Sequence, residues 1–532
     1  MTIKQEISNC IAKSIKKLQR EKVWPGFEMP EIHLEHPEDK SFGDYATNMA
    51  MLLAKQVKKE PSKVAETLKQ KLEVKSKNLF EKIEVAKPGF INFFLAKDYY
   101  QKQVKEILKQ KEKFGQSNIG QNRKVQVEFI SANPTGLLTV GNARGGPFGD
   151  VLGNVLKKAG FQVEKAYYIN DYGMQVLALG HSVLKDSQAK YRGKYIDELN
   201  KKVKEKDPYK AGQKAAKIII EEMIKKTTER MGIKYDEWFS EKKLHQSSQV
   251  DQALAVLKKK GLIYEKEGAK FFRSAKYGDQ RDRVVVKKDD WKTYLAGDIA
   301  YHKYKFEKKK FDKVIDVWGA DHYGDMPGLQ AAMEALGHKG KLDIVILQFV
   351  SIIEKGKGLK MSKRAGTYVT MDELLDSVGS DVTRFFFLQK SAATHLNFDL
   401  SLAKEQSEKN PVYYIQYAYA RICSILRKSK EKKPELGRTS LALLKEPSEL
   451  ALIQELSKLP EIIEEVAKSY QVQRLPYLAT EIAKAFHFFY KSCRVLVEEP
   501  ELRKARLSLI LATQIVLKNI LTLMGIEAPE KM

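Results

Sequence analysis

Cysteine is nearly absent from this 532-residue chain: Cys10, Cys423 and Cys493 are far apart, with no Cys-x-x-Cys pair and no histidine at ligand spacing. This excludes a disulfide framework and a thiolate zinc site as organising devices. Long apolar runs are also missing. The most apolar late stretch, SLILATQIVLKNILTLMG, is broken by Lys518 and Asn519, and the first twenty residues alternate charge too often for a secretion signal. A cytoplasmic protein without a membrane span is expected. No internal repeat, low-complexity tract or coiled-coil seam occurs, so a monomer is the default. Acidic residues are in short supply, with 68 Asp and Glu against 94 Lys and Arg and a formal charge of +26. Such an excess repels itself in a compact molecule, and nucleic acid is the natural counterweight. A lysine-rich solvated surface is the plainer alternative.

What is present is the composition of a soluble globular chain, 43% hydrophobic and 30% charged, long enough for about three domains. Ile3, Ile7, Ile11, Ile15 and Leu18 recur at helical spacing, residues 44–71 repeat the pattern, and 80–96 alternate like strands about a Pro-Gly turn. The result is a small α+β unit over 1–117, closed by the polar linker FGQSNIGQNRK. From 118 to 400 the reading is a Rossmann-type parallel sheet: VQVEFI a strand, 144–159 a helix, VEKAYYIND a second strand. A lysine-dense helical insertion over about 186–280, with a possible strand pair at 262–273, interrupts it, and VIDVWG and KLDIVILQFV supply the second half. Residues 401–532 read as an all-α bundle of amphipathic helices at 410–430, 448–469, 475–496 and 501–524.

Two motifs carry chemistry. In EFISANPTGLLTVGNARGGPFGD, residues 128–150, a strand breaks into a glycine-bearing turn and reopens as a helix, the arrangement that cradles a nucleotide's phosphates. More than two hundred residues later, KMSKRAG at 360–366 offers Lys360 and Lys363 to neutralise β- and γ-phosphates, with Ser362 as a donor and Met361 beside it. Together they point to an enzyme that uses ATP to activate an amino acid. Gly141 lets an adenine ring approach bare backbone. Gly319, Asp321 and His322, in WGADH after a strand, are placed to reach the ribose or the substrate's amino group, although a lone histidine there is as readily structural.

The order and context of these motifs resemble those of class I aminoacyl-tRNA synthetases, and of the arginyl-tRNA synthetase family in particular. GDYATNMAMLLAK and VAKPGFINFFL are similar to that family's N-terminal domain, TYLAGDIAYHKYKF and VIDVWGADHYG to its substrate segments, and NPVYYIQYAYARICSILRK and MGIEAPEKM to its anticodon-binding domain. The resemblance implies an arginine–tRNA ligase: L-arginine and ATP, with Mg²⁺ arriving on the nucleotide, give arginyl-adenylate, and arginine then passes to the terminal adenosine of tRNA(Arg). The tRNA hydroxyl is the nucleophile in that second step, which fits a chain with no evident Ser/His/Asp or Cys/His centre. No protein-held metal is expected.

Residue by residue, the resemblance aligns Glu128 and Asp298 with the carboxylates that take the guanidinium, and Asn133, with Ser131 nearby, with the holder of the α-amino or carboxylate group. Tyr294, four residues before Asp298, shares its helical face and can stack on or bond to the guanidinium. The null alternative for Glu128 and Asp298 is an ordinary ion pair with a basic neighbour. The family's His-x-Gly-His element falls on Thr139, Val140, Gly141 and Asn142, so both histidines are replaced. Thr139 and Asn142 still offer neutral donors near the α-phosphate, or they only cap the helix that follows. Tyr413, Tyr417 and Arg421, with Tyr414, Tyr419 and Arg427, place rings beside guanidinium groups, suited either to stacking on unpaired tRNA bases or to packing a bundle core. A non-catalytic RNA-binding relative and a lysine-specific synthetase are the competing readings.

Overall fold

The computed structural model describes residues 2–75, 78–358, 370–429 and 440–532. The first helix, Ile3–Arg20, opens with a capping box between Thr2 and Gln5 and buries Ile3, Ile7, Ile11, Ile15 and Leu18, the stripe expected from spacing. It packs on the helix Pro61–Lys75, which lies against an antiparallel sheet in which Phe90–Leu95 runs between Tyr45–Thr47 and Phe80–Ala86. The helix expected over 44–71 is interrupted twice. Its start is the strand Tyr45–Thr47, and the remainder divides into Met49–Val57 and Pro61–Lys75. Lys58, left-handed at φ 54°, ends the first helix, and Pro61 opens the second, where its missing N–H costs nothing.

The central unit is a five-stranded, wholly parallel sheet in the order Leu342–Leu347, Lys313–Gly319, Lys124–Phe129, Gln162–Ile169, Glu237–Ser240. Chain direction across the sheet reverses between Lys124–Phe129 and Lys313–Gly319, and ligands of open α/β sheets bind at such a reversal, beyond the carboxyl ends of the strands. Helix Gly145–Lys158 covers one face and comes so close that a Cβ on Gly149 would lie 2.2 Å from the Phe129 ring. The segment 186–280, expected to lie outside the sheet, contributes its edge strand Glu237–Ser240. Four residues reading Glu-Trp-Phe-Ser are too short and too mixed to announce a strand by pattern. The strand pair in the same segment is present as Ile263–Lys266 and Ala269–Phe272, extended by Arg283–Val286.

The C-terminal region is helical: Pro411–Lys428, Pro447–Ser457, Leu459–Ser469, Arg474–Ser492 and Pro500–Met524. The single stretch expected at 448–469 is two helices, the second entering through Pro460. Pro500–Met524 is long and apolar enough to cross a membrane by length and composition, but 67% of its apolar window is buried, so it serves as a core helix of the bundle. Its C-terminus reaches the unit built on the parallel sheet, where the fully buried Arg384 donates to Met524 O (2.7 Å) and Met231 O (2.8 Å) and pairs with Asp150 on the helix Gly145–Lys158 at 2.5 Å. The N-terminal unit is tied to the same bundle. Buried Glu461 accepts from Lys4 N and Tyr45 Oη, and its other oxygen meets His36 at 3.2 Å.

Candidate active site

At the reversal of the sheet, Glu128 and Asp316 stand in register on adjacent parallel strands. The helix Tyr294–Glu307 crosses them and presents Tyr294, Asp298, His302 and Lys305 along one stripe, since residues three or four apart share a helical face. Burial deepens along that stripe: Tyr294 is 55% exposed, Asp298 half-buried, His302 2% and Lys305 0% exposed. At the deep end the Lys305 ammonium meets Glu128 Oε2 at 2.6 Å and Asp316 Oδ1 at 3.2 Å, while His302 Nε2 contacts Asp316 Oδ2 at 2.7 Å. Burial pushes Asp316 up, but the charges of Lys305 and His302 outweigh it and hold the group low, at about 2. Glu128 lies above the usual carboxylate range because burial, reinforced by Asp316, exceeds the pull of Lys305.

Asp298 differs from these groups. Among the described residues its carboxylate makes no hydrogen bond or ion pair, and burial followed by the negative charges of Glu241, Glu128 and Asp316 drives it well above the normal carboxylate value. Glu241 is itself buried, with Oε2 unbonded among the described residues and Oε1 3.6 Å from His245. A Cβ on Gly297 would sit 2.9 Å from that Oε1, so the glycine beside Asp298 leaves the space in which the carboxylate lies. The Tyr168 hydroxyl, 3.7 Å from the same point, is likewise unbonded. Burial raises Tyr294, as do the charges of Glu241 and Asp298. The space between Asp298, Glu241 and Tyr294 is therefore negative, walled by aromatic rings and short of a cation.

The signature turn follows Glu128. Ile130 at φ 67° and Ser131 at φ 40° are both left-handed, a strained state for a β-branched residue in particular. The Ser131 hydroxyl locks the turn, donating to Glu128 Oε1 at 3.0 Å and accepting from Tyr168 N at 3.0 Å. Asn133 is half-buried just beyond. Thr139 caps the short helix Val140–Ala143, and its hydroxyl donates to Asn142 Oδ1 at 2.6 Å, so these two side chains bond to each other. Gly141 is exposed, with nothing but the Thr139 hydroxyl within 4 Å of a would-be Cβ. Thr139 also bridges Thr370, bringing the helix Met371–Leu388 against the turn.

Gly319 ends its strand at the same edge of the sheet, and Asp321 and His322 follow in an exposed turn, His322 Nδ1 lying 3.4 Å from Asp325. Lys360, Met361, Ser362 and Lys363 lie outside the described residues. Both oxygens of Glu128 are engaged, by Lys305 and by Ser131. Glu241, which the sequence reading omitted, occupies the second position near Asp298; its signal lay hidden behind the unrecognised strand Glu237–Ser240. Far from this edge, Tyr413 stacks on Tyr417 at 6.2 Å, and the Arg421 guanidinium lies 4.8 Å over Tyr417 and 5.0 Å over Tyr490. Tyr419 is buried in the bundle core. A cavity of about 890 Å³ beside Arg421 is lined by Arg427, Lys428, Lys491 and Arg494. Among the described residues no group of three or more His, Cys, Asp or Glu side chains is disposed to hold a metal ion.

Comparison with known proteins matches three family models along the chain: an arginyl tRNA synthetase N terminal domain over 5–95, a class I (R) tRNA synthetase catalytic domain over 103–207 and 193–385, and a DALR anticodon binding domain over 415–532. An arginine–tRNA ligase of Moorella thermoacetica is 43% identical over 535 residues, covering 95% of this chain and 94% of its own. That of Carboxydothermus hydrogenoformans is 43% identical over 94% of both chains. Among solved structures, the Thermus thermophilus arginyl-tRNA synthetase superposes with a TM-score of 0.77 at 22% identity, over 99% of this chain and 100% of that one. The Plasmodium falciparum arginyl-tRNA synthetase does so at 0.80 and 21%, over 100% of both, and the two share its fold. Relatives 43% identical over nearly the whole chain, with the N-terminal, class I (R) catalytic and anticodon-binding models matched in order, place the chain in the class I arginyl-tRNA synthetase family.

Proposed function

We propose that the protein joins L-arginine to tRNA(Arg) in two steps at the carboxyl edge of the parallel sheet. The observation that carries this reading is the Asp298 carboxylate, unbonded among the described residues and destabilised by Glu241, Glu128 and Asp316. A guanidinium placed there relieves that repulsion, and its planar donors suit two carboxylates converging from different elements better than a point-like ammonium does. Glu128 and Asp298 take the guanidinium with Glu241 beside them, Tyr294 covers it, and Asn133 and Ser131 at the locked turn, with His322, hold the amino acid's polar end.

ATP lies over Gly141, with Gly319 and Asp321 toward the ribose and Met361 and Ser362 along the nucleotide. The carboxylate of bound arginine attacks the α-phosphorus and pyrophosphate leaves. The protein supplies position and hydrogen bonds: Thr139 and Asn142 donate near the α-phosphate, Lys360 and Lys363 neutralise the departing phosphates, and Mg²⁺ is held by phosphate oxygens and water. The tRNA hydroxyl then attacks the mixed anhydride, while Tyr413, Tyr417 and Arg421 stack on anticodon bases beside the basic cavity. The chain works as a cytoplasmic monomer divided at 1–117, 118–400 and 401–532.

The test is arginine-dependent ATP–pyrophosphate exchange, with and without tRNA; folded protein that exchanges with lysine in place of arginine, or with neither, defeats the reading. A pH series adds a signed check. Asp298 must be ionised to hold a guanidinium and its value is raised, so arginine affinity increases as pH rises through that value and binding releases a proton.

A further inference from the structure

We infer that Tyr195, on the inserted helix Lys194–Lys202, is a positioning residue for amino-acid activation, because its hydroxyl holds the signature turn in the shape that aligns the two substrates. The inference rests on the arginine reading above. Residues 130–138 belong to no helix or strand, so their carbonyls must find partners elsewhere. Three phenols bond the chain here at every third residue. Tyr235 Oη donates to Phe129 O at 3.2 Å, Tyr167 Oη to Ala132 O at 2.9 Å and Tyr195 Oη to Thr135 O at 2.9 Å. A phenylalanine would fill each place with no polar group to desolvate, so what each hydroxyl adds is its bond. Burial pushes the Tyr167 and Tyr235 phenols up, which keeps both protonated and able to donate.

The three donors have different supports. Tyr167 and Tyr235 belong to an aromatic cluster on the parallel sheet, Tyr235 stacked on Phe129 at 4.6 Å and Tyr167 on Trp238 at 4.5 Å. Tyr195 is delivered from outside the sheet. Its ring fits between two glycines: a Cβ on Gly136 would lie 3.2 Å from the hydroxyl, and one on Gly193 3.3 Å from the ring. Tyr195 and Leu199 pack in one core with Leu179 of the helix Met174–Leu184 and Ala215 of the helix Pro208–Ile218. The latter two helices cross so closely that a Cβ on Gly212 would lie 1.9 Å from Val176 O, which makes the support stiff. Ile130, held left-handed at φ 67°, packs against the same core. A strained conformation persists only where its surroundings over-determine it. These helices therefore hold the turn on either side of Asn133, by an apolar contact at Ile130 and a hydrogen bond at Thr135.

Thr135 falls between Asn133, which on the proposed reading holds the amino acid's polar end, and Gly141, where ATP lies. The guanidinium contacts are outside this span. Loss of the tie leaves each substrate its main contacts and disturbs their alignment with each other, an effect felt in the transition state.

The experiment compares Tyr195→Phe, Gly136→Ala and the double variant in arginine-dependent pyrophosphate exchange, with hydrogen exchange of residues 130–136 read without substrate. Tyr195→Phe is expected to lower kcat about tenfold, with the KM for arginine and for ATP each within about threefold of the parent. Gly136→Ala pushes on the same hydroxyl, so the double variant is expected within about twofold of the worse single variant. A kcat within about twofold of the parent in Tyr195→Phe, a KM rise that accounts for the whole loss, or losses that multiply in the double variant would overturn the inference. If the parent shows no arginine-dependent exchange, the functional reading fails instead. Hydrogen exchange then decides the tie alone: a rate raised about fivefold or more over 130–136 in Tyr195→Phe, with the strand Lys313–Gly319 unchanged, supports it, and an equal rise in both segments, or none, refutes it.

Discussion

Along the helix Tyr294–Glu307, polar side chains grade from an exposed tyrosine to a wholly buried lysine, and the deep charges are matched within the protein; from Ile130 to Asn142, the polar groups are shallow and bond mainly to one another. The amino-acid side of the site is thus laid into the core, where electrostatics are strong and geometry is held by packing. The phosphate side is a strained, hydrogen-bonded surface turn. On the proposed reading, selectivity among amino acids rests on the buried side, and the contacts to the α-phosphate fall to Thr139 and Asn142, where the family has histidines.

The largest effect expected to sharpen this contrast is that of Asp298→Asn. Removing one member of a desolvated charge pair should cost on the order of 10²–10³ in arginine-dependent exchange while the KM for ATP stays put. Because burial holds Asp298 well above its ordinary value, its ionised form destabilises the apo protein, so this variant should melt at or above the parent's temperature near neutral pH. A lower melting temperature would break the comparison.

Next is Asp316→Asn, which leaves Lys305 and His302 without their shared partner and should cost about 3–5 kcal/mol in denaturant titrations. In the parent, Asp316 is lowered, so its stabilising contribution is complete above the ordinary carboxylate value and is lost as pH falls toward about 2, which acid titration of parent and variant reads directly. On the phosphate side, Thr139→Ala should cost only about 1 kcal/mol of stability as a lost cap. Asn142→Ala should lower kcat for exchange by about tenfold with the KM for arginine unchanged. The smallest effect belongs far from both: Arg421→Ala should raise the KM for tRNA by roughly fivefold, less at high salt, and leave pyrophosphate exchange alone.

Much of this was legible in the chain. The spacing of Asp298, His302 and Lys305 is a helical stripe in plain view, and only Asp298 was taken from it, because matching charges across elements requires knowing that Asp316 lies in register with Glu128. The pairing of Glu128 with Lys305 was hidden for the same reason, since the two lie 177 residues apart. Glu241 was missed with the short edge strand before it, whose four residues show neither clean alternation nor an apolar run. The left-handed state of Ile130 leaves no trace in composition, since nothing in a β-branched residue announces it. The strands of the parallel sheet with near-continuous apolar character, and the long helices of the bundle, were read from periodicity because burial on one or both faces writes itself into the residues.

Arg384 is joined to the carbonyl of Met524, 140 residues farther along, and to Asp150 on the signature helix. The ribosome adds residues at about 5–20 per second, so the catalytic half waits roughly 7–28 s after Arg384 is made for the acceptor that completes its core. A nascent chain interrupted in that interval holds a buried guanidinium missing one of its three acceptors beneath the signature helix. A chain cut short before Met524 lacks the contact that completes the support beneath the helix carrying Asp150.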